Sequence, residues 1–321
     1  MKKVAIGIDI GGTNVKLGLV SPSGHVIARD TFPTKGPGGK AAFLRALKER
    51  TDRLVREARR IHLKVTGVGV GAPGPIDVER GFVYFFPNIP GWKNTPLKSL
   101  LEQRFGLPVN VDNDANVMAL AEFCFGAGRG AKNLIALTLG TGVGGGLIIG
   151  GRLFHGPRYS AAEIGHLVIN EDGPRCACGS RGCVETYVGN GYFVREIKRR
   201  LRKGEKSVLR KWSKEEGLEL TPLLAAQAAK RGDAFSKKMW KEAGERLGTA
   251  LAGLVNILNP ERIILGGGIA QSGLLFGPVK ATLRKKAFPI AARSVRVMPA
   301  KLGVDAGLIG AAALIFMQED R

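Results

Sequence analysis

The sequence predicts an α/β protein made of two similar domains that face one another across a cleft. Three observations carry that expectation. A strand–glycine turn–strand unit opens the chain at residues 4–20 and returns at residues 134–149, as a duplicated supersecondary unit would. Short apolar runs alternate with longer stretches of helical spacing, the pattern of mixed strands and helices. The length, 321 residues, suits two domains of ordinary size, each able to bury a core.

Residues 4–10 read as the first strand: apolar, bounded by glycine and too short for a helix. Gly11-Gly12-Thr13-Asn14 is turn chemistry, and residues 15–20 form the return strand. Ser21-Pro22-Ser23-Gly24 turns into a third strand at 25–29. Residues 41–62 have helical spacing, with Phe43, Leu47, Leu54, Val55 and Ala58 inward. A strand at 65–70 runs into Gly71-Ala72-Pro73-Gly74-Pro75, and a strand at 109–112 precedes a helix that starts near Ala115. The opening pattern then repeats as a strand at 134–139, the turn Gly140-Thr141-Gly142, a return strand at 144–149 and, after Gly150-Gly151, a third at 152–154. Residues 194–201 fit an amphipathic helix with Val194, Ile197 and Leu201 inward. A long helix is expected at 234–258, ending at Asn259-Pro260, then a short strand at 262–265 entering Gly266-Gly267-Gly268. A helix rich in small residues at 303–317 is expected to pack back on the first domain. The expected division is 1–112 with 303–321 as the smaller domain and 113–302 as the larger.

Hydrophobic residues make up 44% and charged residues 24%, as in soluble globular proteins. No apolar run reaches the roughly 18 residues a membrane span needs. The opening MKKVAIGIDIGGT alternates like a strand and has no cleavage site, so a cytoplasmic protein is expected and no membrane partner. The net charge of +22 raises the question of nucleic acid. The densest basic stretch, residues 195–214, has ten Lys/Arg against two Glu, but stacking aromatics are sparse and no DNA-reading motif is present. A solvated helix face is the expectation, with no specific nucleic-acid partner. The same charge attracts anionic substrates such as nucleotides.

The run AAEIGHLVINEDGPRCACGSRGCVE carries the most chemistry. It places His166, Cys176, Cys178 and Cys183 within 18 residues, a full Cys3His set for a tetrahedral zinc ion. A disulfide framework is disfavoured with four Cys and no signal peptide. Cys124 lies apart in an apolar context and is expected to be a small buried hydrophobe. Glu163 and Glu185 are interleaved with the ligands. A closed zinc site fixes backbone and does no chemistry itself, so it would lock a loop presenting Glu163, His166 and Glu185 to a polar, uncharged group such as a sugar.

The glycine turns point to a phosphate. Backbone N–H groups of Gly11, Gly12, Thr13, Asn14, of Gly140, Thr141, Gly142, Gly144, and of Gly266, Gly267, Gly268 would form anion-binding concavities. Asp9, at a strand end before the first turn, would hold Mg²⁺ beside that phosphate. No G-x-x-x-x-G-K-[ST] occurs, and Gly140-x-Gly142-x-Gly144 leads into a strand, which sets aside a dinucleotide fold. Asn113 and Asp114 stand at a strand-to-helix junction, where both residue types are favoured as caps.

Seven segments occur in one order: Asp9-Ile10-Gly11-Gly12-Thr13; Gly71-Ala72-Pro73-Gly74-Pro75; Asn113-Asp114-Ala115-Asn116; residues 139–146, LGTGVGGG; Glu163-Ile164-Gly165-His166; Cys176-x-Cys178-Gly179-x-x-Gly182-Cys183-x-Glu185; and Asp305-Ala306-Gly307-Leu308-Ile309-Gly310. In this the chain resembles the ROK family of sugar kinases and repressors, within the actin/hexokinase superfamily. The resemblance covers nearly the whole chain. It implies a duplicated ribonuclease-H-like (actin-like ATPase) fold, ATP in the cleft, a hexose or N-acetylhexosamine as acceptor, and a homodimer. It also implies that Asp114 is the catalytic base and Asn113 a sugar-binding amide.

The expected activity is ATP-dependent phosphorylation of a hexose, foremost D-glucose to glucose 6-phosphate. N-acetylglucosamine, N-acetylmannosamine and fructose are the alternative acceptors, and polyphosphate the alternative donor. The rival of another class is a sugar-sensing ROK regulator. Such members carry a winged-helix domain ahead of the first glycine turn, whereas eight residues precede Asp9 here, so a kinase is expected.

Overall fold

A computed structural model describes residues 1–36, 38–87 and 91–319; residues 320 and 321 of the expected returning segment lie outside the described residues. The chain opens with an antiparallel meander of β1 (Lys2–Ile10), β2 (Asn14–Val20) and β3 (Val26–Pro33). Helix α1 (Lys40–Arg60) follows, burying Phe43, Leu44, Leu47, Leu54 and Ala58 at helical spacing, and leads into β4 (Leu63–Ala72). Strands β5 (Ile76–Asp77), β6 (Phe82–Phe85) and β7 (Lys93–Pro96) make a small antiparallel sheet. Helix α2 (Leu97–Phe105), β8 (Val109–Asn113) and α3 (Asp114–Phe125) complete this part.

The pattern then repeats as β9 (Leu134–Leu139), β10 (Val143–Ile149) and β11 (Arg152–Leu153). Helices α4 (Glu185–Val188), α5 (Asn190–Arg202), α6 (Val208–Lys214), α7 (Pro222–Lys230) and α8 (Ala234–Leu258) precede β12 (Arg262–Gly266). Helices α9 (Phe276–Lys286) and α10 (Pro289–Ser294), strand β13 (Arg296–Pro299) and helix α11 (Ala306–Glu319) close the described chain.

Two five-stranded sheets share one plan. The first has the order β3-β2-β1-β4-β8 and the second β11-β10-β9-β12-β13. In the first, a meander is followed by the parallel strands β4 and β8; in the second, β9, β12 and β13 are parallel. The duplication expected from the two glycine turns is therefore present. The third strand of the opening meander is longer than expected, reaching Pro33, because its pairing with β2 continues to Asn14↔Pro33.

Contacts divide the chain into two compact units: residues 1–132, 146–162 and 301–321, and residues 133–145 with 163–300. The division expected after residue 112 would separate α3 from its own sheet. Instead α3 packs into the first unit, with Val117 lying over Gly71 of β4 and against Gly310 of α11. In the second unit, α5 buries Phe193, Ile197 and Leu201; Phe193 takes the inward place expected of Val194. Its basic face is partly neutralised, since Arg200 makes a bidentate pair with Glu242 at 3.2 and 2.5 Å.

Helix α11 returns to the first sheet because the sheet lacks side chains there. Gly18, Gly7 and Gly69 are partners across β2, β1 and β4, and the next position, on β8, is Asn110. A methyl group at Gly7 would collide with the Leu308 carbonyl, and one at Gly69 with the Ala311 carbonyl. Asn110 finishes the row by donating to the Leu314 carbonyl at 3.2 Å. The helix backbone thus lies directly on the strand backbone. Gly69→Ala forces the two apart, and a loss of about 3 kcal/mol is expected, at the upper end for overpacking. Urea denaturation measures it; a midpoint equal to that of the parent would show that α11 is not seated as described.

Candidate active site

The carboxyl ends of parallel strands are where open α/β sheets bind ligands. In the first unit Asp9, Gly71 and Asp112 are aligned across β1, β4 and β8 at that edge. The Gly11–Thr13 turn follows Asp9 and is pinned by Gly11 N–H to the Asn14 carbonyl (3.1 Å) and by the Thr34 hydroxyl to the Gly11 carbonyl (2.6 Å). The N–H groups of Gly12 and Thr13 take no hydrogen-bond acceptor among the described residues. Burial raises the Asp9 carboxyl above its ordinary pKa, with Lys16 acting the other way. A bound cation would favour its ionised form, so this carboxylate at a strand end suits Mg²⁺ beside a phosphate.

Asn113 and Asp114 stand at the same edge, where β8 passes into α3. Asn113 does cap the helix: its Oδ1 accepts from the Ala115 N–H at 2.9 Å, while its Nδ2 donates to the Gly74 carbonyl at 3.1 Å. Asp114 Oδ1 also accepts from the Ala115 N–H, at 2.9 Å. Capping and ligand binding are compatible here, because capping is what fixes the turn. The helix N-terminus favours a negative charge at Asp114.

A pair that the sequence reading missed lies immediately behind this turn. Asp112 is 2% exposed. Its Oδ1 accepts from the Asn113 N–H at 2.7 Å and from Asn116 Nδ2 at 2.9 Å, and its Oδ2 is 2.7 Å from His155 Nε2. Forty-three residues separate the partners, so no local spacing announces them. The one available signal was a charged residue near the end of a short strand, beside the Asn113-Asp114 turn.

The second unit holds the other candidates. The turn Gly140-Thr141-Gly142 leaves β9 and joins Gly144 on β10, and Gly266-Gly267-Gly268 leaves β12, its parallel neighbour. The N–H groups of Thr141, Gly142, Gly267 and Gly268 take no acceptor among the described residues. Gly267 has φ 85° and lies against the Leu139 backbone, where a side chain would not fit. Both loops therefore crowd one end of one sheet, a concavity suited to an anion. Glu185, at the start of α4, reaches the first of these loops: its Oε2 accepts from the Val143 N–H at 2.9 Å. Glu163 is exposed ahead of the one-turn helix Ile164–His166, and His166 N–H closes that turn on the Glu163 carbonyl at 3.0 Å.

The ligand atoms of His166, Cys176, Cys178 and Cys183 all lie within 4.8 Å of one another. His166 Nδ1 is 3.6 Å from Cys176 Sγ, and Cys178 Sγ is 3.7 Å from Cys183 Sγ. Zinc–sulfur and zinc–nitrogen bond lengths give a tetrahedron with S–S edges of about 3.8 Å and S–N edges of about 3.6 Å. The donor set fits zinc on both identity and spacing. It is held by a tight turn, Cys176 N–H to the Ser180 carbonyl at 2.8 Å, and by a bridge between Val168 and Cys183. Burial, together with the neighbouring thiols, pushes the Cys183 thiol up to about 12, so a metal cation is what would make it a thiolate. Using Nδ1 for metal leaves His166 Nε2 for another partner. Cys124 is half-buried and packs against Met317, sulfur to sulfur at 3.8 Å; burial raises its pKa to about 11, the behaviour of an inert apolar thiol.

The structure thus places Asp9, Gly11–Asn14, Asn113 and Asp114 in the first unit, and Gly140–Gly144, Glu163, His166, Cys176, Cys178, Cys183, Glu185 and Gly266–Gly268 in the second.

Residues 5–318 match the ROK family. A glucokinase from Halalkalibacterium halodurans is 38% identical over 317 residues, which covers 98% of this chain and 96% of the relative. A xylose repressor from Caldicellulosiruptor bescii is 33% identical over 311 residues, covering 97% of this chain and 77% of the repressor. The crystal structure of a ROK family glucokinase from Streptomyces griseus, in complex with glucose and AMPPNP, is similar with a TM-score of 0.80 and 36% identity, over 97% of this chain and 98% of that one.

Proposed function

The chain belongs to the ROK family, and from that premise we propose that it transfers the γ-phosphoryl group of ATP to D-glucose, giving glucose 6-phosphate and ADP. It is a sugar kinase on the duplicated ribonuclease-H-like fold of its family. The observation that carries the choice of reaction is the Asn113-Asp114 turn, a capped and charged pair at the carboxyl edge of the first sheet, in a chain 38% identical to a glucokinase along almost all its length.

Asp114 is assigned as the general base. Phosphoryl transfer passes through a loose transition state, so a carboxylate that orients the sugar hydroxyl and takes its proton late is sufficient. Asn113, Glu163, His166 through Nε2, and Glu185 are assigned to the sugar. Each hydroxyl buried without a partner costs on the order of 1–3 kcal/mol, so several acceptors are needed. Asp9 would hold Mg²⁺, and the turns Gly11–Asn14, Gly140–Gly144 and Gly266–Gly268 would cradle the nucleotide phosphates. Mg²⁺, when bound, neutralises charge on the transferring phosphoryl group. His166, Cys176, Cys178 and Cys183 would hold structural zinc. The same assignment carries a homodimer, a cytoplasmic location and no specific nucleic-acid partner. Among the described residues, no helix is long and apolar enough to cross a membrane.

ADP release coupled to a spectrophotometric readout, run over glucose, fructose, N-acetylglucosamine and N-acetylmannosamine, tests the choice of acceptor. Glucose is expected to lead in kcat/KM by about tenfold or more, the discrimination a few sugar contacts supply. A different leader would reassign the substrate, and no turnover with any sugar would remove the kinase assignment. Polyphosphate in place of ATP tests the donor.

A further inference from the structure

We propose that His155 is a positioning residue which, through its pair with Asp112, holds the Asn113-Asp114 turn in place when its imidazole is protonated. The proposal rests on the assignment of Asp114 as the general base for its effect on rate, and on geometry alone for its effect on the turn.

Asp112 is the hub. One carboxylate oxygen takes the Asn113 N–H at 2.7 Å and the Asn116 amide at 2.9 Å, so it fixes the residue before Asp114 and the first turn of α3 after it. The other oxygen meets His155 Nε2 at 2.7 Å. A carboxylate this deeply buried needs its charge balanced, because an unpaired buried charge is strongly unfavourable. Among the described residues, His155 is the group that can supply a full positive charge to it by direct contact. With the imidazolium in place, both oxygens are engaged and the carboxylate cannot rotate away from Asn113. With neutral imidazole, the hydrogen bond persists in one tautomer, but the charge is no longer matched and the hold on the turn weakens.

The surroundings of His155 favour its charged form. It projects from the segment after β11 into a cavity of about 490 Å³ that it lines together with Asp112, Glu79, Lys98, Arg152 and Tyr159. The Tyr159 ring meets the imidazole edge-on at 6.4 Å. Of the charged groups that line this cavity, Asp112 is the one in direct contact with the imidazole, and it favours protonation. Burial works against the imidazolium, but the hydrogen bond and charge of Asp112 outweigh it, so the His155 pKa is raised above 6.5. The sign follows: the pair is fully formed below the ordinary histidine pKa and is lost as pH rises through the raised value.

Two measurements on the whole protein test this. The first needs no substrate. In NMR titrations the His155 ring should titrate above 6.5, and the Asn113 N–H and Asn116 side-chain amide resonances should move with the same midpoint; in His155→Gln both should be flat through that range. Resonances that ignore the His155 titration overturn the proposal. The second compares pH profiles of kcat. The parent should lose about tenfold in kcat as pH rises through the His155 midpoint, the scale of a slightly misplaced catalytic group. His155→Gln, which keeps a neutral donor, should sit near the parent's high-pH value and lack that step, with KM for glucose unchanged. A step that survives in His155→Gln overturns the catalytic part. If the amide resonances follow His155 but the parent phosphorylates no sugar, the hold on the turn stands and the kinase assignment falls.

Discussion

Asp114→Asn is expected to lower kcat for glucose by at least about 100-fold, the range of general-base catalysis, while leaving the protein folded and sugar-competent. The amide matches the carboxylate in shape and keeps an oxygen for the Ala115 N–H, which Asp114 now binds at 2.9 Å. Asn113 continues to cap α3 through the same N–H, so the helix start has two acceptors and tolerates the loss of charge. What disappears is the ability to take the hydroxyl proton. Steady-state kinetics gives kcat, calorimetric titration with glucose gives the affinity, and thermal denaturation reports the fold. Normal turnover in this variant would leave Asp114 as nothing more than an acidic residue in the first turn of a helix.

The second large effect concerns the metal loop. The purified protein should carry about one Zn²⁺ per chain, and Cys178→Ser should lose metal, activity and thermal stability together. Cys178 is exposed. Its replacement therefore removes no packing, and any large loss reports on coordination. The binding free energy of a structural zinc is stability of the fold around it, so a loss of several kcal/mol in the 163–185 loop is expected. Cys124→Ser is the matched control, since that thiol sits against Met317 outside the ligand set and should keep its metal. Elemental analysis together with thermal denaturation decides the matter. Zinc-free protein with full activity would reduce the four residues to a coincidence of spacing.

What could be read in the chain, and what could not, divides by range. The paired glycine turns announced the duplication because tight turns need local residue types, and both sheets follow. The zinc donors were legible because three of the four fall within eight residues, 176–183. Asn113 was read correctly as a cap, which hid nothing: the cap and the proposed sugar amide are the same side chain. The partnership of Asp112 with His155 was invisible, since a strand-end carboxylate and a loop histidine become neighbours only through tertiary packing. The division placed after residue 112 failed for a similar reason. Helix α3 follows β8 without a break, and its allegiance is set by glycines at 71 and 310 that admit Val117. On α5, Ile197 and Leu201 are buried as expected and only the leading position differs, because helical spacing allows Phe193 or Val194 to lead, and the larger ring takes the buried place.

The glycine row that seats α11 also orders events in time. Helix α11 lies beyond residues 163–300 in the chain, yet it rests on strands made from residues 2–20 and 63–72. A ribosome must therefore finish the whole second unit before the first can be completed. Until then the bare stripe across Gly18, Gly7 and Gly69 stays uncovered. Contacts of such long sequence separation form late, and half-finished surfaces of this kind are where chaperones bind and aggregates start. The newborn protein should consequently be far more fragile before the fourteen residues of helix α11 are made than after they have docked.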